Sequence, residues 1–204
     1  MNWKDFFSNK KNRIELIVSL ILLTMTLTGL ANFVNFVENR KGVVFPDPIL
    51  SLFNPIDLTW ITFGLIYLSL IFVIVTLLKN PQRFLFALQL YTSMAVVRMI
   101  AMFLLPLEPP EKMILLKDPF VEFFGTGQTL TKDLFFSGHT ATLFILFLVS
   151  EHKTIKIIFL VITIIVAFCV LLQHVHYTID VFAAILFTYA CYKFLLDLKI
   201  KKFL

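Results

Sequence analysis

Apolar residues in this chain come in long unbroken runs, with none of the alternation that a half-buried strand would show. Six runs stand out, at 14–36, 58–78, 84–105, 135–150, 154–172 and 177–196. A helix needs about 20 apolar residues to cross about 30 Å of hydrocarbon. Five runs meet or approach that length, and the fourth is short, so its helix is expected to recruit residues from either flank. Continuous runs disfavour a closed barrel, whose strands alternate between lipid-facing and lumen-facing residues. The pattern predicts an all-α, six-span transmembrane bundle formed by a single domain over residues 1–204.

Composition agrees with the bilayer as solvent. Of the 204 residues, 59% are hydrophobic and only 15% charged, too few to give a soluble domain a polar surface. The net charge of +5 does not point to nucleic acid, because the basic residues sit in short clusters between apolar runs. Lys4, Lys10, Lys11 and Arg13 precede the first run, Lys79 and Arg83 follow the second, Lys153 and Lys156 follow the fourth, and Lys193, Lys199, Lys201 and Lys202 close the chain. With six spans all fall on one side. The other side carries Arg40, Lys41, Lys112, Lys117 and Lys132 diluted by eight carboxylates, so the positive-inside rule predicts cytoplasmic termini and three outer loops. The apolar start is long enough to be a retained span, with no clear cleavage signal after it. Cys169 and Cys191 lie inside apolar runs and are read as packing residues.

Prolines and glycines concentrate in the first two outer loops, and the stretch LLPLEPPEKMILLKDPFVEFF is expected to include a short interfacial helix. The segments that carry chemistry are DLFFSGHTATL and HVHYTID. The predicted topology brings His139, at the start of the fourth run, and His176 with Asp180, at the start of the sixth, to the same outer face. His176 and Asp180 stand at i and i+4, so on a helix the carboxylate can hold one imidazole nitrogen and leave the other free to attack. This is the logic of a nucleophile and its orienter. His176 is assigned as nucleophile, Asp180 as orienter, and His139 as general acid and later base. Ser137 and Gly138, at a helix start with unpaired N–H groups, are candidates to hold phosphate, with Arg98 as counter-charge.

Asp133 and Glu108, near the mouth, are candidates to select a cationic choline or ethanolamine group. His174 is a weaker site candidate. Trp3 and Trp60 suit interfacial belts or packing. No metal or other cofactor is expected, since two histidines and a carboxylate are accounted for by acid-base chemistry and His152 falls on the opposite side.

At these residues the sequence resembles the sphingomyelin synthase family, a branch related to the type 2 phosphatidic acid phosphatases. DLFFSGHT and HYTIDVFAA look like that family's two catalytic segments, RMIAMFLLPLEPP is similar to its arginine-bearing third span, and PDP at 46–48 echoes its first motif. The resemblance implies six spans, an extracytoplasmic or lumenal site, and a catalytic triad on His139, His176 and Asp180. Two departures stand out. Thr131 and Lys132 precede Asp133 where the family has Cys-Gly, and Val170 occupies a position where the broader phosphatases carry arginine. With few cations in reach, a singly charged phosphodiester suits this pocket better than a dianionic monoester.

The expected function is a lipid head-group phosphotransferase or phosphodiesterase of the cell membrane, with a phospholipid donor and a lipid or water acceptor. The close alternative is a phosphatase acting on phosphatidic acid, phosphatidylglycerol phosphate or an isoprenyl (pyro)phosphate. A transporter or scaffold is the non-enzymatic reading, but a transporter would more readily show broken helices and midplane charges.

Overall fold

The computed structural model describes residues 2–117 and 130–201. Among the described residues seven α-helices follow one another: α1 (Trp3–Ser8), α2 (Lys10–Asn39), α3 (Thr59–Leu77), α4 (Pro81–Leu104), α5 (Gly138–Val149), α6 (Lys153–Leu172) and α7 (Thr178–Lys201). Local chemistry sets most of their starts. Asn2 and Asn9 accept from the Asp5 and Lys11 amides, and Asn80 accepts from Arg83 with Pro81 in the first turn, where its missing N–H costs nothing. Ser137 caps α5 by accepting from Thr140 N at 3.3 Å. The start of α7 is capped instead from the first outer loop, by Asp47.

From α2 to α7 the helices alternate in direction. At one end, Ile56 N donates to Leu172 O and Ile114 N to Gln173 O, which gathers the three loops expected on one face. At the other, Trp3 Nε1 donates to Leu78 O and Asn80 to Glu151. Among the described residues five helices are long and apolar enough to cross a membrane. Their outward faces are apolar, with Leu68 69% and Leu186 65% exposed, as expected of a protein embedded in lipid.

The fourth run departs from expectation. Its helix recruits neither flank, because Ser137 and Ser150 stop it at 12 residues, about 18 Å. Among the described residues five helices, not six, therefore have spanning length. Burial accounts for the difference: α5 packs against α3, α4, α6 and α7, and Ala141 and Leu143 are fully enclosed. A helix sheathed by protein has no lipid face and needs no bilayer length. It reaches the basic end, where Arg83 donates to Val149 O at 3.1 Å, but begins well short of the loop end. Arg98, beside its start, lies six residues before the end of α4, roughly 9 Å below it.

The non-helical chain leading to Gly138 thus runs at depth. It is tolerated because its polar groups are bonded within the protein: Phe136 O accepts from Arg98 Nε at 2.7 Å, and Ser137 N donates to Asp180 O at 3.2 Å. α1 was not anticipated. It is a short amphipathic turn at the basic end, with Phe6 buried and Trp3 against Phe6, Phe7 and Phe84. Trp60, 77% exposed at the start of α3, suits a place in an interfacial belt. In the second outer loop, residues 105–117 are irregular, with a turn at Glu111 and Lys112. The rest of the stretch expected to hold an interfacial helix lies outside the described residues.

Candidate active site

His139, His176, Asp180 and Arg98 converge at the recessed start of α5. His139 sits in its first turn, and its ring meets His176 edge to face with 6.0 Å between centroids. Phe63 of α3 packs on the other side of His139 at 5.8 Å. A phosphoryl group lying across the two imidazole edges can meet both.

His176 and Asp180 pair as the spacing suggested, but not as helical neighbours. His176 lies two residues ahead of α7, in the tight turn after Gln173, and Asp180 occupies the first helical turn. Asp180 Oδ2 sits 3.2 Å from His176 Nδ1 and also accepts the Tyr177 amide at 3.1 Å. The carboxylate therefore closes the turn and holds the ring at once, leaving His176 Nε2 for chemistry. Both side chains are shut off from solvent.

Arg98 brings its guanidinium to the N-terminus of α5. A Cβ at Gly138 would lie 3.0 Å from Arg98 Cζ and 3.2 Å from each terminal nitrogen, so only glycine gives the cation this place. Arg98 is anchored by Phe136 O and by Asp133 Oδ1 at 2.7 Å. A guanidinium set against the positive end of a helix makes a field that favours an anion. Asp133 supplies a negative charge to this field.

A cavity of about 320 Å³ opens onto this group. Arg98, Asp133, Gly138, His139 and Thr142 form its polar end, and Leu30, Phe63, Ile66, Leu70 and Met94 form apolar walls between α2, α3 and α4. His176, 1% exposed, is not on its wall and lies next to His139.

Ser137, a candidate to hold phosphate, is fully buried as the cap of α5 and lies outside the lining of the cavity. The two candidates for cation selection are already engaged by cations. Asp133 lines the cavity but its carboxylate is paired with Arg98; Glu108 lies outside the cavity, holding Lys132 at 2.9 Å and the Gly42 amide at 2.8 Å. The Lys132 hydrogen bond holds the Glu108 carboxyl below the usual carboxylate range. Lys132 and Lys112 bond Glu108 and Asn54.

His174 is buried against Phe53, on the far side of the turn. Burial, with Lys112 acting in the same direction and Asp47 opposing, pushes its pKa below the ordinary histidine value. Among the described residues no three His, Cys, Asp or Glu side chains converge to hold a metal ion.

Sequence reasoning missed the residues that fasten the outer loops to the site. Asp47 accepts Thr178 N at 2.6 Å and Thr178 Oγ1 at 3.2 Å, while its own loop supplies the Ile49 and Leu50 amides. Burial alone would raise the Asp47 pKa, but these hydrogen bonds prevail and lower it. Asp47 thus pins the turn that carries His176 and Asp180. Glu38, ending α2, accepts from Thr131 N and Lys132 N, both at 2.9 Å, and fixes the strand of chain entering at Asp133. Gln173 Oε1 accepts Leu58 N at 3.0 Å and its amide donates to Thr59 Oγ1 at 2.9 Å. Gly42 lets the first two loops touch along backbone: a Cβ there would lie 2.7 Å from Leu107 C. The PDP echo at 46–48 was the one available signal among these.

Residues 132–197 match the family model described as PAP2 superfamily C-terminal, a segment that begins at Lys132 and includes all three triad candidates. No curated protein matches the chain.

Proposed function

We propose, from the match of residues 132–197 to the PAP2 superfamily C-terminal model, that this chain is a membrane phosphotransferase of the PAP2 (type 2 phosphatidic acid phosphatase) superfamily, exchanging lipid head groups at its recessed histidine pair. The observation that carries the proposal is the convergence of His139, the His176–Asp180 pair and Arg98 at one helix start. The apolar walls of the cavity suit a donor whose acyl chains stay in lipid.

In the proposed cycle a phosphodiester takes the guanidinium of Arg98 and the first amides of α5, in competition with Asp133. His176 Nε2 attacks phosphorus as the bond to the diacylglycerol oxygen breaks, and His139, protonated at this stage, gives its proton to that oxygen. The head group is now carried on His176. The next hydroxyl loses its proton to His139, its oxygen attacks phosphorus, and the N–P bond breaks to restore His176. Asp180 stabilises the positive charge that forms on His176 during attack and release. Because the enclosed His176 does not line the cavity, substrate entry must shift the side chains around it.

Arg98 is the single cation among the described residues lining the cavity, which favours a singly charged choline- or ethanolamine-phosphate diester over a monoester or pyrophosphate. A site enclosed at depth also favours an acceptor arriving laterally with its own tails over water. In reconstituted vesicles, head-group-labelled choline or ethanolamine phospholipid should yield a new labelled lipid only when ceramide or diacylglycerol is supplied. Release of soluble label at the same rate across a panel of acceptors would identify a phosphodiesterase instead, and an unchanged lipid pool would leave a transporter or scaffold.

The site face is proposed to be extracytoplasmic, in the cell membrane, because the opposite face carries the basic clusters. Cysteine placed at Glu111 should react with an impermeant reagent on intact cells, and cysteine at Gln82 should not. The reverse labelling would overturn the orientation.

A further inference from the structure

The larger cavity lies at the opposite end of the helices and plays no part in the chemistry proposed above. It encloses about 500 Å³ between α1, the first turns of α2 and α4, and the ends of α5 and α7. Its walls are mostly apolar: Phe6, Leu85, Phe86, Leu148, Val149, Tyr192 and Leu196. Its polar groups are three cations, Lys11, Arg83 and Lys199, with a single carboxylate, Glu15, besides the amides of Asn9, Asn12 and Gln82.

The charges are partly committed. Arg83 pairs with Glu151, just outside the cavity, and donates to Val149 O. Lys199 lies over the Phe86 ring at 5.3 Å and 3.9 Å from Glu15. Glu15 also accepts from Gln89 at 3.1 Å, a bond that joins α2 to α4. The lining therefore keeps an excess of positive charge above an aromatic and aliphatic floor. A soluble phosphate would leave that floor unused, and a neutral lipid would bring no charge to balance three lining cations against one carboxylate. An anionic phospholipid satisfies both, its phosphate near Lys11 and Lys199 and its glycerol and upper chains along Phe6, Phe86 and Tyr192. Basic pockets between spanning helices on the cytoplasmic side are where such head groups bind.

We propose that this cavity is a binding site for one anionic phospholipid, separate from the histidine site and wedged between α1 and the ends of the helices that build it.

Trp3 makes the proposal measurable, because it packs on Phe6 in the cavity wall, 5.7 Å between ring centroids. In a Trp60→Phe background Trp3 is the one remaining tryptophan of two. The full chain would be reconstituted with phosphatidylglycerol or phosphatidylcholine bearing brominated chains, and quenching of Trp3 followed against mole fraction.

Brominated phosphatidylglycerol should quench at a clearly lower mole fraction than the choline lipid. Lys11→Gln with Lys199→Gln should weaken that preference by about tenfold or more, since each cation near the surface contributes about fivefold. Glu15→Gln should strengthen it. Lys4→Gln with Lys10→Gln removes as much charge from exposed positions outside the cavity and should leave most of the preference intact. Unaltered quenching by the choline lipid shows that each variant remains folded. Equal quenching by the two lipids, a preference lowered as much by the outer pair as by the cavity pair, or displacement of the lipid by millimolar inorganic phosphate would each overturn the site.

Discussion

His176→Ala protein is expected to assemble normally and to lose turnover by on the order of 10³-fold or more, because the imidazole on which the proposed covalent intermediate forms is gone. Asp180→Asn is the more informative partner. An amide oxygen in place of Oδ2 can still accept from His176 Nδ1 and from Tyr177 N, and the backbone bond from Ser137 N to Asp180 O is untouched. What the substitution removes is the negative charge beside the imidazole. Turnover should therefore fall by on the order of 10²- to 10⁴-fold while elution volume and thermal midpoint in detergent change little. His139→Ala should block both proton transfers, and an alcohol-like leaving group of low pKa in a synthetic donor should rescue its first step selectively. Wild-type rates in purified His176→Ala or Asp180→Asn protein would remove that residue from the chemistry. Loss of a monodisperse species in both would show that the pair serves the fold.

The length and composition of the apolar runs made the spanning helices readable to within a few residues, since a run that must satisfy its backbone in lipid has no alternative to helix. Ser137 was legible as a helix start, while Asn9 and Asn80 cap helices that begin a few residues ahead of the apolar runs. The short α5 was not. An apolar run looks alike whether lipid or protein surrounds it, and only the surrounding α3, α4, α6 and α7 reveal that Gly138–Val149 needs no membrane length. The local shape of the His176 turn was hidden too: four-residue spacing suggested one helix face, whereas the pairing arises from Asp180 folding back to cap Tyr177 N.

Contacts between distant parts of the chain account for the remaining gaps. Nothing local to Asp47 announces a bond to Thr178, 131 residues away. Nor does the charge of Asp133 or Glu108 reveal that each carboxylate is paired with a neighbouring cation, Arg98 and Lys132 respectively. That His139 meets His176 and Asp180 was expected from topology; their recess at the start of the short α5 was not. Their supporting shell required the tertiary structure.

Gly138→Ala is expected to reduce kcat/KM by about tenfold to hundredfold while leaving the protein at least as stable, a combination that separates the anion site from the fold. The added methyl would meet Arg98 Cζ at 3.0 Å and both terminal nitrogens at 3.2 Å, tighter than ordinary contact. Its neighbour is the end of a side chain, so the backbone need not move; the guanidinium must shift instead. It has little room to do so in register, since Nε is tied to Phe136 O and Nη2 to Asp133 Oδ1, each at 2.7 Å. Helix α5 does not suffer, because alanine is the better helix former by up to about 1 kcal/mol. Arg98→Ala is a poorer probe: it leaves the Phe136 carbonyl and the Asp133 carboxylate without their partner at depth, and loss of assembly would then be indistinguishable from loss of binding. Arg98→Lys should fall between the two, keeping the charge but unable to meet both acceptors with one planar group. The comparison rests on steady-state kinetics and thermal midpoints measured on the same preparations. A Gly138→Ala protein with wild-type kcat/KM would show that the Arg98 guanidinium does not have to lie against the start of α5 for the reaction to proceed.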